Sequence, residues 1–113
     1  MKYINKSLSI EKIKAQDIAK KFGTPIYCYS YKQLKENISN FKKNFKSFSP
    51  LICFAIKSNT NVNLINEIGK FGLGADVVSM GELMMALKAG IDPKKIVFSG
   101  VGKTSNEISY AID

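Results

Sequence analysis

Lys57 is the residue with the most chemistry open to it. It directly follows the apolar run Leu51-Ile52-Cys53-Phe54-Ala55-Ile56 and precedes Ser58-Asn59-Thr60, polar residues suited to a strand-to-helix loop. That places its amine at the C-terminal end of a buried strand, the end at which barrel enzymes gather their reacting groups. Loss of water disfavours the ammonium ion and frees the amine as a nucleophile, able to form an imine with a carbonyl compound. The ordinary alternative is a strand-end lysine that carries its charge out to water, and position alone favours it. A carboxylate comes near if neighbouring strands end level, because Asp76 lies in Ala75-Asp76-Val77-Val78, the next strand-like segment. It would favour the charged forms of the amine and the imine; the alternative is an acid hydrogen-bonded to a backbone amide. The chain has no histidine, which removes the Ser-His and Cys-His arrangements. Lysine, a carboxylate or a borrowed cofactor must do any chemistry.

The elements that position these residues follow from periodicity and punctuation. Ile10, Ile13, Ile18 and Phe22 mark one face of a helix over residues 10–22, ended by Gly23. Thr24-Pro25 reopens an extended segment, and Ile26-Tyr27-Cys28-Tyr29 reads as a short strand. Ser30 and Gln33 make a capping box for a second helix. Its stripe of Tyr31, Leu34, Ile38, Phe41, Phe45 and Phe48 recurs at helical spacing and reads as core. From Pro50 the pattern changes. Residues 51–56 form a strand apolar throughout, as expected of one covered on both faces of a parallel sheet. A helix over 61–71 follows, then strand 75–78, then a helix capped by Ser79 and Glu82 that stops at Gly90. Asp92-Pro93 turns into strand 96–99, and Thr104 with Glu107 boxes one more helix. Strand, loop and helix thus repeat three times in residues 51–113, with a period of about 22 residues. This is α/β patterning with right-handed parallel units. It suits the N-terminal part of a (β/α)8 TIM-like barrel, with a doubly wound sheet as the alternative. A closed barrel needs eight units and about 250 residues, so the chain is expected to be a fragment.

Composition narrows the function classes. With 45% hydrophobic and 23% charged residues the chain resembles an ordinary soluble globular protein. The apolar runs are too short to span a bilayer, and the start lacks a secretory signal, so no membrane role and a cytoplasmic location are expected. Cys28 and Cys53 sit in apolar strand-like runs and read as buried reduced thiols; two cysteines without histidine are too few for a zinc site. The net charge of +8 invites a nucleic-acid partner. All 17 basic residues are lysine, however, and arginine is the better residue for bidentate phosphate and base contacts. Residues 1–57 hold 12 lysines against 3 acids and residues 58–113 hold 5 against 6, so most of the excess lies on the solvated faces of two helices. No nucleic-acid partner is expected. Gly100-Val101-Gly102-Lys103-Thr104 looks like a nucleotide loop, but Val97 stands where that motif needs a glycine.

Phe54-Ala55-Ile56-Lys57-Ser58-Asn59 resembles the lysine motif of the barrel-type (fold type III, alanine racemase-like) pyridoxal-phosphate decarboxylases. Gly74-Ala75-Asp76-Val77-Val78-Ser79-Met80-Gly81-Glu82-Leu83 is similar to the second block of that family. Ile96-Val97-Phe98-Ser99-Gly100-Val101-Gly102-Lys103-Thr104 resembles the third block as it stands in bacterial diaminopimelate decarboxylases, and Phe22-Gly23-Thr24-Pro25-Ile26-Tyr27 matches their N-terminal segment. The resemblance covers the chain from residue 15 onward, with the blocks in order. It implies pyridoxal 5'-phosphate as cofactor, Lys57 as the catalytic and cofactor-binding lysine, and Asp76 in the cofactor pocket. Ala55 is expected under the cofactor, where a larger side chain would collide; it could equally be a small core residue. Glu82 matches a family acid but is explained by its cap. The implied enzyme is a homodimer of a barrel and a β-rich domain. Residues 1–30 would associate with the β-rich domain, and residues 31–113 would form the first β/α units of the cofactor-binding barrel. The implied reaction is decarboxylation of meso-diaminopimelate to L-lysine, with an amino acid as the small-molecule substrate. The family's ring-stacking histidine and phosphate-binding glycines are expected beyond Asp113, so the fragment alone is expected to be inactive. Alternatives are decarboxylation of ornithine, arginine or carboxynorspermidine on the same fold, a non-catalytic pyridoxal-phosphate-binding barrel, and, more remotely, a basic nucleic-acid module.

Overall fold

Tight turns, not a helix, organise the start of the chain. A computed structural model describes residues 1–45 and 47–113. β1 (Lys2–Ile4), β2 (Ser7–Ile10) and β3 (Ile13–Lys14) form an antiparallel meander. Ile4 pairs with Ser7 across Asn5-Lys6, and Ile10 pairs with Ile13 across Glu11-Lys12. Asn5 and Lys6 both have positive φ, 47° and 61°, which is the left-handed pair a type I′ turn requires. The helix expected over 10–22 therefore starts later, as α1 (Ala15–Phe22), and ends at Gly23, whose φ is 82°. Residues 26–29 form no strand. Their β-branched and aromatic character needs a pairing partner to become a ladder.

Ser30 caps α2 (Tyr31–Asn44), its Oγ accepting from Gln33 N at 3.1 Å. The expected box is only half made, because the Gln33 amide donates to Asn37 Oδ1 instead. Glu11 supplies the other tie. It accepts from Ser30 Oγ at 2.8 Å and Lys32 N at 3.0 Å. The Lys32 backbone amide, followed by the Ser30 hydroxyl, holds the Glu11 carboxyl below its ordinary value. The aromatic stripe expected as core is not core here. Only Ile38 is buried, Leu34 is half-buried, and Tyr31, Phe41, Phe45 and Phe48 are exposed. Periodicity identifies an apolar face but not what covers it.

The chain divides at residues 47 and 48 into two units, Met1–Ser47 and Phe48–Asp113. The second holds the three β/α units expected of an α/β fold. β4 (Cys53–Ala55), β5 (Gly74–Val77) and β6 (Ile96–Phe98) form a parallel sheet in that order. Each is followed by a helix: α3 (Val62–Lys70), α4 (Met80–Lys88) and α5 (Ser105–Ile112). The first strand is shorter than its apolar run, since Leu51 is exposed and Ile56 opens a 3-10 turn, Ile56–Ser58. Ile56, Ile65, Ala75, Val77, Leu83, Ala86, Ala89 and Ile91 make the buried core, with Phe54, Val62, Ile96 and Phe98 packed against it. Gly90, at φ 80°, ends α4 in a Schellman motif: Gly90 N donates to Leu87 O and Ile91 N to Ala86 O, which puts Ile91 into the core. Among the described residues no helix is long and apolar enough to cross a membrane.

Candidate active site

Strand alternation sorts the sheet into two faces. Phe54, Ala75, Val77, Ile96 and Phe98 point to the helix-packed core. The alternate residues Cys53, Ala55, Gly74, Asp76 and Val97 therefore share the other face. There Cys53, Ala55 and Asp76 are half-buried and Val97 is exposed. The expectation of a strand covered on both faces is met on one face only.

The uncovered face carries the residues singled out above. Ala55 of β4 is the register partner of Asp76 of β5, which pairs in turn with Val97 of β6. Ala55 and Asp76 are thus neighbours on one face, and Lys57 stands two residues beyond Ala55 at the same end. Buried Ile56 anchors the 3-10 turn that presents Lys57. Ser58 Oγ donates to Ala55 O at 2.7 Å and Asn59 N to Ile56 O at 2.9 Å, which closes the turn. Asn59 Oδ1 then accepts from Asn61 N, and Asn61 Oδ1 accepts from Asn63 N and Leu64 N as the cap of α3. One departure from expectation concerns Lys57 itself. It is exposed, because the turn lifts it off the strand, so its amine is accessible but not desolvated by this chain.

Three interactions escaped the sequence. Ser99 Oγ donates to Asp76 Oδ1 at 2.5 Å, and among the described residues no backbone amide donates to Asp76. Cys53 Sγ reaches across Gly74 to Lys95 O at 3.8 Å. A Cβ on Gly74 would lie 2.0 Å from Lys95 O and 3.0 Å from Cys53 Sγ, so only glycine lets these strands close up. Burial, followed by the Asp76 charge, pushes the Cys53 thiol up, which keeps it protonated and a poor nucleophile. Third, Glu107, expected only as the partner of Thr104 in a capping box, also ties down Met80 at the start of α4. Its Oε2 accepts from Thr104 N at 2.9 Å and Thr104 Oγ1 at 3.0 Å, while Oε1 accepts from Met80 N at 3.2 Å. The amides of Thr104 and Met80 and then the Thr104 hydroxyl hold the Glu107 carboxyl below its ordinary value of 4.5. The Thr104 box is complete; the Ser79 box is displaced, since Glu82 Oε2 accepts from Val78 N rather than from the cap residue. Lys103 Nζ donates to Gly100 O and lies 5.2 Å from the centre of the Phe98 ring, so it is occupied locally. Two-residue alternation places Ser99 on the face of Val97, and that signal could have linked it to Asp76.

This donor set suits a carbonyl cofactor with a planar ring. It offers an accessible primary amine, a small alanine on an uncovered face, and a carboxylate with one oxygen bonded and the other free among the described residues.

Known proteins agree in family and in extent. The diaminopimelate decarboxylase of Aquifex aeolicus is 44% identical over 113 residues, all of this chain and 26% of that protein. The crystal structure of the M. jannaschii diaminopimelate decarboxylase superposes with a TM-score of 0.92 at 35% identity, covering 97% of this chain and 27% of that one. The Helicobacter pylori enzyme complexed with L-lysine gives 0.81 at 42% identity, over 86% of this chain and 25% of that one. The chain spans about a quarter of the length of the curated relatives it matches. The pyridoxal binding domain of the pyridoxal-dependent decarboxylases matches residues 31–113. This chain belongs to the pyridoxal-dependent decarboxylases, by the pyridoxal-binding domain that its residues 31–113 match.

Proposed function

We propose that the chain forms part of the cofactor site of a diaminopimelate decarboxylase, releasing carbon dioxide from meso-diaminopimelate to give L-lysine. The observation that carries this reading is the pairing of Ala55 with Asp76, which sets the Lys57 turn and a carboxylate at one end of adjacent strands. Whole-chain identity to diaminopimelate decarboxylases supports that substrate over ornithine, arginine or carboxynorspermidine. L-Lysine bound in a relative supports an amino-acid product.

Lys57 Nζ is assigned to hold pyridoxal phosphate at its aldehyde. When bound, the cofactor supplies a pyridinium ring that takes up the electron pair left as carbon dioxide departs. Asp76 favours the charged form of the nitrogen beside it by Coulomb attraction. Ala55 leaves room for a flat ring over β4. The Lys57 amine would also be placed to carry a proton to and from the substrate carbon. Residues 1–30 are assigned to a β-rich domain, and the complete enzyme to a cytoplasmic homodimer with a (β/α)8 barrel.

Two measurements test this. Carbon dioxide release by the full polypeptide should be at least about a hundredfold faster from meso-diaminopimelate than from ornithine or arginine, the scale on which a polar-recognising pocket discriminates. Comparable rates would reject the substrate. Lys57→Ala should abolish the visible absorbance of bound cofactor, and an unchanged spectrum would reject the lysine.

A further inference from the structure

The role of Ser99 goes beyond the cofactor lysine and rests on the site reading above. β6 ends at Phe98, but Ser99 N still donates to Val77 O at 2.9 Å, so the ladder with β5 fixes the Ser99 backbone. Gly100, at φ 89°, turns the chain away immediately afterwards. Ser99 is therefore held by the sheet and not by a loop. Alternation puts its side chain on the uncovered face, diagonal to Asp76, whose register partner is Val97. The hydroxyl donates to Asp76 Oδ1 at 2.5 Å. No other hydrogen bond or ion pair to the Asp76 side chain occurs among the described residues. A half-buried carboxylate with one donor can still swing about its side-chain bonds; that donor decides which oxygen is committed and which is left open.

We propose that Ser99 is a positioning residue for the cofactor site: its hydroxyl fixes Asp76 Oδ1 and leaves Oδ2 to face the cofactor beside Lys57. The neighbours are consistent with this division of labour. Cys53, the other titratable group on that part of the face, donates its thiol to Lys95 O and not to Asp76. The side chains of Val97 and Ala55, which flank Asp76 in the sheet, are aliphatic and have no donors to offer. Among the described residues Ser99 is thus the one side chain of this sheet hydrogen-bonded to Asp76.

The test is a cycle of cofactor dissociation constants, read from the visible absorbance on titrating the full polypeptide with pyridoxal phosphate. Ser99→Ala should weaken binding about tenfold, the effect of one hydrogen bond to a charged group. Ser99→Thr keeps the hydroxyl and should restore parent affinity even if the alanine variant melts at a lower temperature. In the Asp76→Ala background, Ser99→Ala should change affinity by less than about twofold, the limit of independent action. The proposal is overturned if Ser99→Ala binds like the parent, if Ser99→Thr fails like the alanine variant, or if the loss persists without Asp76. A parent that binds no cofactor through Lys57 would sink the site reading and this proposal together, whereas parent binding with an indifferent Ser99 sinks the proposal alone.

Discussion

The two units solve the burial problem differently. In Phe48–Asp113 each strand is followed by a helix, and Ile56, Ile65, Ile68 and Val77 are 2% exposed or less. In Met1–Ser47 Ile38 is the one buried hydrophobic among the described residues, while Phe22, Tyr27, Tyr29 and Phe41 are more than half exposed. A β/α repeat carries the partner for each strand within the next twenty residues or so of sequence. A meander with two amphipathic helices does not, and its apolar faces need a cover from elsewhere. The same difference decides where a site can be built. The repeat holds Ala55, Asp76 and Ser99 in fixed register, as a preorganised site requires.

The contrast can be broken by substitution. Gly74→Ala should have the largest effect, above about 4 kcal/mol of unfolding free energy in urea, because the added carbon meets the Lys95 carbonyl and not a movable side chain. A loss below about 1 kcal/mol would mean that β5 and the approach to β6 are not closely packed. Ile65→Ala should follow, costing about 2–5 kcal/mol for a cavity in the core. Phe41→Ala in the first unit should cost less than about 1 kcal/mol in this chain. Equal costs for Ile65 and Phe41 would erase the distinction between the units.

Acid should then act on both units through carboxylates that accept backbone amides. Glu107 and Glu11 are both held below their ordinary value of 4.5. A depressed carboxylate contributes stability that is fully present above its unfolded value and is lost as pH falls through the folded one. The amide resonances of Met80 and Thr104 should therefore titrate with a midpoint below 4.5, and Glu107→Gln should remove that step while leaving the Lys32 amide, which reports Glu11, unchanged. A midpoint at or above the ordinary value would contradict the bonding described. The smallest effect concerns Cys53. Burial and Asp76 push its thiol up, so alkylation at pH 8 should lag an unperturbed thiol. Asp76→Asn should narrow that lag, and no change would remove Asp76 from the neighbourhood of Cys53.

The second unit was largely legible in the sequence because its signals are local. Ser79 and Thr104 cap as read, Gly90 stops α4, and the apolar runs mark β4, β5 and β6 to within two or three residues at either end. The meander was missed because its turns, Asn5-Lys6 and Glu11-Lys12, contain no glycine, and Ile10, Ile13 and Ile18 mimic a helical face. Residues 26–29 have strand character but no partner strand among the described residues. Lys57 and Asp76 could be picked out by type and strand position. The Ser99 bond to Asp76 was less legible: alternation puts Ser99 on the face of Val97, but the bond joins residues 23 apart and depends on a parallel register that no local pattern fixes.

Reduction of the cofactor-loaded full polypeptide with borohydride, followed by peptide mass mapping, tests the central claim most directly. The account predicts the mass of a reduced phosphopyridoxyl group on the peptide containing Lys57 and on no other. The same mass on Lys103 or another lysine, or its absence from every peptide of a polypeptide shown to bind the cofactor, would contradict it.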